Sequence, residues 1–109
     1  MAKLSFTNTV FEYIEGCKTC TRRVWTPKAM EMWQRHWDKG NLIHDAYAQG
    51  EFIGKFKLTC RPYWEKLVDM PEADVVAEGG FCKTVNEFIK MWGKTRNDTV
   101  AVLRFEKVS

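Results

Sequence analysis

The spacing of hydrophobic residues predicts helices in four parts of the chain. Thr26 followed by a proline is typical of a helix N-terminus, and the apolar stripe that follows predicts a helix over residues 27–39. Capping boxes, in which a glutamate lies three positions after a threonine, predict helices that begin after Thr9 and after Thr84. A fourth, short helix is predicted over residues 71–77, before a glycine pair.

Strand-like runs fill much of the remaining sequence. Residues 41–48 and 51–60 are separated by a Gln-Gly pair and predict a β-hairpin. Gly54 within the second run predicts a bulge or bend, a common device where a sheet curls into a barrel. The nearly continuous apolar run over residues 99–105 predicts a central strand buried on both faces. Shorter strands are predicted over residues 4–8 and 19–25, and an irregular stretch is predicted after Pro62.

Length and composition indicate a single globular domain over residues 1–109. Hydrophobic residues make up 45% of the chain and charged residues 28%, which excludes collagen-like, low-complexity and wholly disordered proteins. Lysine and arginine number 17 against 14 aspartate and glutamate, a net charge of +3. This mild excess permits a local site for phosphate groups but does not require one.

The sequence also indicates the cellular compartment of the protein. No apolar stretch approaches the roughly 18 residues of a membrane-spanning helix, and the first residues lack the apolar core of a signal peptide. We therefore expect a cytoplasmic protein that does not bind a membrane. In that compartment the four cysteines are expected to be free thiols rather than a disulfide framework.

The densest polar cluster lies over residues 16–23, where a glycine turn leads into a strand that carries three cations and two hydroxyl groups. One interpretation is a strand with a solvated face, since lysine, threonine and arginine are common on exposed strand surfaces. The other is a lip that binds phosphates or bases, because lysine and arginine beside turn amides suit anions. The pattern alone leaves both interpretations open.

Lys18 and Thr21 suggest a more specific chemistry within this cluster. Strict strand alternation puts their side chains on opposite faces, so they meet only if Lys18 still lies in the turn. If they do meet, a neutral lysine beside a hydroxyl group forms a base and a nucleophile. Arg22 and Arg23 would favour the neutral lysine by repulsion and would stabilise an oxyanion.

Other polar residues have an ordinary explanation beside the functional one. Cys17-x-x-Cys20 leads into a strand rather than a helix, the wrong context for a thioredoxin-like motif, and no second ligand pair completes a zinc site. We therefore expect neither a metal nor a cofactor. Glu78 follows a predicted helix C-terminus, where a carboxylate is slightly unfavourable. His36 and His44 are interpreted first as packed or surface residues.

Several of these features together resemble the ASCH domain family. The resemblance covers nearly the whole chain in the right order, and the glycine-turn motif is its most specific part. It implies an α+β fold, a PUA-like, partly open β-barrel of five or six strands with three or four short flanking helices, and a cleft for RNA or nucleosides. The matching residues are, in chain order, Gly16-x-Lys18-x-x-Thr21-x-Arg23, Gly54, Glu78-Gly-Gly-Phe81, Glu87-Phe88 and Phe105-Glu106.

Some members of that family are small amidohydrolases that remove the acyl group from N4-acetylcytidine. The resemblance implies that Lys18, Thr21 and Glu78 form the catalytic set, with Arg23 in an organising or anion-binding role. Thr21 would attack the amide carbonyl or orient a water, while Lys18 takes and returns the proton. Glu78 would contact the cytosine edge or move protons. The helix over residues 27–39 is longer than the corresponding connection in those enzymes.

Two other functions are compatible with the same residues. One is a non-catalytic RNA-binding module, which would bind phosphates through arginines and stack bases on aromatic rings. The other is a metal-independent ribonuclease, an activity of some ASCH proteins, with Lys18 or His44 in acid or base roles. The residues expected to bind a nucleoside or RNA are Arg22, Arg23, Arg61 and Tyr47, with Trp25 as an alternative stacking ring.

Overall fold

The structure, a computed structural model, describes residues 2–6, 16, 18–80 and 82–108. The helix predicted after Thr9 lies outside these residues, as do Cys17 and Phe81. The described elements are, in chain order, β1 (Lys3–Ser5), β2 (Cys20–Arg23), α1 (Pro27–Asp38), β3 (Ile43–Ala48), β4 (Glu51–Leu58), β5 (Tyr63–Lys66), a 3-10 turn (Leu67–Asp69), α2 (Asp74–Ala77), α3 (Val85–Trp92) and β6 (Thr99–Val108).

The strands form one mixed sheet that does not close into a complete barrel. Its strand order is β1-β3-β4-β6-β2, and β5 pairs with β6 beside this path. β1 runs parallel to β3, and the other pairs are antiparallel. With three α-helices among the described residues, this arrangement confirms the predicted α+β fold, a partly open barrel of five or six strands.

The predicted hairpin is formed by β3 and β4. Gln49 (φ 51°) and Gly50 (φ 85°) both adopt left-handed backbone conformations, as a tight two-residue hairpin turn requires. Gly54 also has a positive φ, 145°, and the pairing register shifts opposite it, between Ala46 and Tyr47. The bulge predicted at this glycine is therefore confirmed.

Helix α1 begins where its sequence predicts and covers the first hydrophobic core. The Thr26 hydroxyl accepts a hydrogen bond from the main-chain N–H of Ala29 at 3.1 Å. The apolar stripe of the helix buries Met30 and Trp33. The first core consists of Leu4, Phe6, Trp33, Ala46, Phe56, Leu58, Leu103 and Phe105.

A second hydrophobic core lies on the opposite face of β6. Alternate residues of a strand point to opposite faces, so Leu103 belongs to the first core and Val100 to the second. Helix α3 packs here and begins at the predicted cap, where the Thr84 hydroxyl accepts from the main-chain N–H of Glu87 at 3.1 Å. β6 is thus the central strand that the sequence predicts. The second core consists of Leu67, Met70, Val75, Val85, Ile89 and Val100.

The prediction of an irregular stretch after Pro62 is wrong, because these residues form strand β5. This strand pairs antiparallel with the first residues of β6. Its half-buried positions are the polar Tyr63 and Glu65 rather than apolar residues, so hydrophobic alternation did not reveal it. None of the helices that the structure describes is long and apolar enough to cross a membrane.

Candidate functional site

β1 and β2 are the two ends of the sheet path, and the opening between them is called the seam here. Arg23 of β2 reaches across it, because its Nη2 donates a hydrogen bond to the main-chain oxygen of Ser5 at 2.7 Å. The ring of Phe6 lies beside this bridge, with its centroid 5.5 Å from the Arg23 Cζ. Phe6 belongs to the first core, so the seam borders that core directly.

Lys18 lies two positions before the first residue of β2 and not on the strand itself. The residue is only 3% exposed, and its Nζ donates to the main-chain oxygen of Glu78 at 2.7 Å and to Oε1 of the same residue at 3.4 Å. Its Nζ also lies 5.9 Å from the centroid of the Phe6 ring. Burial lowers the pKa of Lys18, although the Glu78 carboxylate opposes this by favouring the charged form. Lys18 therefore loses its proton more easily than an exposed lysine does.

Glu78 reaches Lys18 through helix α2, although 60 positions separate the two residues in the sequence. Glu78 is the C-cap of α2, and the N–H of Thr19 donates to the Ala77 oxygen at 2.9 Å, which ties this helix end to the residue immediately before β2. Its Oε1 faces Lys18, and its Oε2 accepts from Arg22 Nη1 at 2.9 Å. Both carboxylate oxygens are thus engaged with cations.

Thr21, the third residue of the implied catalytic set, lies on the face of β2 opposite to Arg22. It is 4% exposed, and its Oγ1 accepts from Arg23 Nε at 3.1 Å. No hydrogen bond joins Thr21 to Lys18 within the part of the chain that the structure describes. The Arg23 guanidinium and the Lys18 Nζ both lie near the Phe6 ring at the seam.

Arg22 was expected to bind a ligand phosphate, but the structure buries it inside the protein. None of its side chain is exposed. Its Nη2 donates to Asp74 Oδ2 at 2.6 Å, its Nη1 to Glu78 Oε2 at 2.9 Å and its Nε to Glu65 Oε1 at 2.9 Å. In this arrangement the guanidinium holds three carboxylates inside the protein and offers no surface to a ligand.

This buried network extends to Asp74, Arg104 and Tyr63, none of which was predicted as a site residue. Arg104 Nη1 donates to Asp74 Oδ1 at 2.9 Å, and Arg104 Nε donates to the Tyr63 hydroxyl at 3.0 Å. Burial acts to raise the pKa of Asp74, but hydrogen bonds from Arg104 and Arg22 outweigh it, so that this pKa is lowered. The sequence contains two signals for this network. They are the polar residues at alternate positions of β5 and the arginine within the apolar strand β6.

Cys20 lies in the same network, and its thiol is unreactive. Burial and the charge of Glu78 raise the pKa of its thiol to about 12, so the thiol stays protonated near neutral pH. The described cysteines Cys20, Cys60 and Cys82 are free thiols. Among the residues that the structure describes, no group of three or more His, Cys, Asp or Glu side chains is arranged to hold a metal ion.

Arg61 and Tyr47, two other expected ligand-binding residues, lie apart from the Lys18 contact. Arg61 pairs with Asp38 at the surface, with 2.9 Å between Nε and Oδ1. Tyr47 adjoins the seam through its main-chain oxygen, which accepts from the N–H of Phe6 at 2.8 Å. Its ring packs edge-on against that of Phe52, with 5.8 Å between centroids.

Trp25 and His44 are held by structural contacts. Trp25 stacks on Trp33, with 5.6 Å between ring centroids and 8° between ring planes. His44 is fully buried; its Nδ1 accepts from the N–H of Ala2 at 3.1 Å, and its Nε2 bonds to the Asn41 oxygen at 2.7 Å. Because Nδ1 faces a donor, the proton of the neutral ring lies on Nε2. Both ring nitrogens are therefore engaged with the main chain.

Comparison with known proteins identifies the fold. No family model and no curated relative matches the sequence. The crystal structure of an ASCH domain from Lactobacillus crispatus JV V101 matches with a TM-score of 0.60 at 13% identity, covering 91% of this chain and 69% of that one. The chain has an ASCH-like fold. A second structure, a DUF984 protein from Enterococcus faecalis V583, matches with a TM-score of 0.55 at 14% identity, covering 91% of this chain and 66% of that one.

The ASCH-like fold agrees with the architecture that the sequence resemblance implies. At these identities the likeness concerns the course of the chain, from β1 to β6, and not the side chains at the seam. The chain spans about two thirds of the length of each matching structure. The assignment of chemistry to Lys18, Thr21 and Glu78 therefore depends on their own geometry.

Proposed function

We propose that this protein is an amidohydrolase with an ASCH-like fold that removes the acyl group from N4-acylated cytidine or a related modified nucleoside. The observation that supports it best is the buried contact between Lys18 and Glu78 beside the seam. Burial lowers the pKa of Lys18, which favours the neutral amine that a general base requires. The sequence resemblance to the small N4-acetylcytidine amidohydrolases supplies the substrate class.

The proposed reaction consumes one water and needs no redox partner. Neutral Lys18 accepts the proton of the attacking hydroxyl, which is that of a water that Thr21 orients or, relayed through a water because no hydrogen bond joins the two side chains, that of Thr21. The bond between the acyl carbon and N4 then breaks, and Lys18 returns the proton to the departing N4 amine. If Thr21 is the nucleophile, water hydrolyses the resulting ester on its Oγ1. Both routes release a carboxylic acid and cytidine.

Glu78 and Arg23 support this chemistry from two sides. The Glu78 carboxylate faces the Lys18 Nζ and stabilises the ammonium form that exists between the two proton transfers. Its second oxygen is held by Arg22, so Glu78 acts on the lysine more readily than on the substrate. Arg23 donates to the Thr21 hydroxyl oxygen and provides a positive charge for the oxyanion that forms next to it.

The two alternative functions receive less support. Arg22 is buried and Arg61 is paired with Asp38, so carboxylates engage two of the three arginines expected to bind RNA phosphates. The ribonuclease alternative loses His44 as its general base, because both of its ring nitrogens are bonded to the main chain.

Release of cytidine from N4-acetylcytidine by the purified protein tests the proposal. We expect turnover by the wild type and a loss of about a hundredfold or more in kcat for Lys18→Ala. Lys66→Ala is the matched control, because it removes an exposed lysine of β5 and should leave turnover unchanged. Circular dichroism establishes that each variant is folded. A folded wild-type protein without activity on N4-acylated cytidines would contradict the proposal.

A further inference from the structure

Two adjoining cavities lie at the C-terminal end of α1. The larger has a volume of about 520 Å³ and the smaller about 240 Å³. They share His36 and Asn41, and together they are called the α1 groove here. The residues that line the groove are Met32, Arg35, His36, Lys39, residues 40–44 and Lys57.

The charged side chains that line the α1 groove are all basic. Arg35 and Lys39 are exposed and make no side-chain ion pair within the described residues. Asp38, their acidic neighbour in sequence, is already paired with an arginine outside the groove. Lys57 lies opposite Glu106 in the β4–β6 pair but forms no ion pair with it. An anionic ligand would therefore meet several cations at once.

The larger cavity also has an apolar wall and a fixed ring. Ile43 is 42% exposed here, and Leu42 beside it is half-buried. The imidazole of His36 is held edge-on against the buried ring of His44, with 4.8 Å between centroids. The exposed side-chain amide of Asn41 adds a hydrogen-bond donor and an acceptor. This wall suits a flat ring with a polar edge.

We propose that the α1 groove binds a nucleoside phosphate, with the base in the larger cavity and the phosphate over Arg35 and Lys39. A volume of about 520 Å³ lies within the range of roughly 300–1,000 Å³ that small-molecule sites occupy. The base stacks on the His36 ring and contacts Ile43, and the Asn41 amide binds its polar edge. The guanidinium of Arg35 provides paired donors for the phosphate oxygens.

The α1 groove is separate from the seam. Strand β1 connects the two places: the N–H of Ala2 bonds to His44 at the groove, and Phe6 lies at the seam. Four residues of extended chain put these two contacts roughly 13 Å apart, and neither Lys18 nor any residue bonded to it lines the groove. Binding of a nucleoside phosphate at the groove is a separate property from the proposed hydrolysis and does not depend on it.

Isothermal titration with cytidine 5′-monophosphate and adenosine 5′-monophosphate tests the groove. We expect at least one of them to bind, and more tightly than cytidine, adenosine or inorganic phosphate alone. Arg35→Gln with Lys39→Gln should weaken that binding by about tenfold, because two charge-assisted contacts are lost. The matched control, Lys66→Gln with Lys90→Gln, removes the same charge and also changes the last turn of a helix, α3. It should leave the binding nearly unchanged.

Two further measurements separate the possible results. Lys18→Ala should bind the nucleotide with the affinity of the wild type, because Lys18 does not line the groove. The variant therefore distinguishes a loss of hydrolysis at the seam from a loss of binding at the groove. Hexacytidylate that binds more tightly than the mononucleotide would identify an RNA strand as the source of the phosphate, and equal affinity would identify the free nucleotide. Absence of binding to both mononucleotides, or equal weakening by the two double variants, would overturn the proposal.

Discussion

Arg22 holds the carboxylate that faces Lys18. Its guanidinium donates to three carboxylates, and one of them is Glu78, which faces the lysine. A buried charge without a partner is costly, so these groups stabilise one another only as a set. Arg23, one position later, points to the other face of β2 and crosses the seam. Adjacent arginines thus have different roles.

Arg22→Gln should lower the free energy of unfolding by about 3 kcal/mol or more, because it leaves buried carboxylates without their cation. Urea unfolding followed by tryptophan fluorescence measures this change. Arg61→Gln is the control, since the ion pair of Arg61 with Asp38 is exposed and its loss should change the stability little. Equal effects of the two substitutions would show that the buried network stabilises the fold no more than a surface pair.

His44 predicts a pH dependence of the stability. Burial lowers the pKa of His44 in the folded protein below its ordinary value of 6.5, so the unfolded chain takes up more protons as the pH falls through that region. We therefore expect the free energy of unfolding to decrease as the pH falls below about 6.5. Protonation of Nδ1 also removes the hydrogen bond from Ala2. Urea unfolding between about pH 7.5 and 5.5 measures the effect.

Two histidine variants assign that pH dependence. His44→Gln keeps a donor toward the Asn41 oxygen but does not titrate, so it should remove the loss of stability at low pH. His36→Gln, on the neighbouring ring, should retain the loss. A loss that persists in His44→Gln would contradict the assignment to His44.

The elements differ in how much of their structure their own sequence specifies. Helix α1 has its cap at Thr26 and its apolar stripe within the helix, and the hairpin has its turn and its bulge at Gly54, so both were predicted correctly. Strand β5 has only four residues and polar half-buried positions, and it becomes a strand through pairing with β6. Local sequence pattern therefore predicts an element whose own residues cap or turn it. It does not predict an element that forms only through pairing with a distant strand.

The same distinction applies to the candidate site. The turn motif with Lys18 was recognisable, and the structure joins Lys18 to Glu78, two residues that the resemblance to ASCH proteins implied as members of a catalytic set. The pairing of Arg104 with Asp74 was not predicted, because 30 positions separate the two and neither carries a motif. The alternation of polar residues along β2 also did not show that Arg22 is buried. A polar residue at such a position can face either solvent or the interior of the protein.

Helix α1 provides a test at the scale of one element. Thr26→Ala should lower the free energy of unfolding by about 1 kcal/mol, because the N–H of Ala29 loses its side-chain acceptor. Thr59→Ala, at an exposed threonine outside any helix, is the control and should have a smaller effect. Thermal unfolding followed by circular dichroism compares the two variants. An equal effect of both would argue against a specific contribution of the cap.

At the scale of the whole molecule, β6 contributes to both hydrophobic cores and should therefore make them unfold together. It pairs with β2, β4 and β5, and its alternate side chains enter the two cores on opposite faces. The buried ion network lies on the side of β2 that faces α2, whereas the Phe6 ring at the seam belongs to the first core. The contact between Lys18 and Glu78 therefore lies where the two halves of the molecule meet.

Matched substitutions in the two cores test this cooperativity. Leu58 in the first core and Leu67 in the second are both almost completely buried, so Leu58→Ala and Leu67→Ala should each lower the free energy of unfolding by about 2–5 kcal/mol. Because β6 lines both cores, each variant should still unfold in a single transition, with coincident curves from tryptophan fluorescence and circular dichroism. Separate transitions in Leu67→Ala would show that the second core unfolds on its own. The Lys18–Glu78 contact would then depend on an equilibrium of α2 rather than on the whole fold.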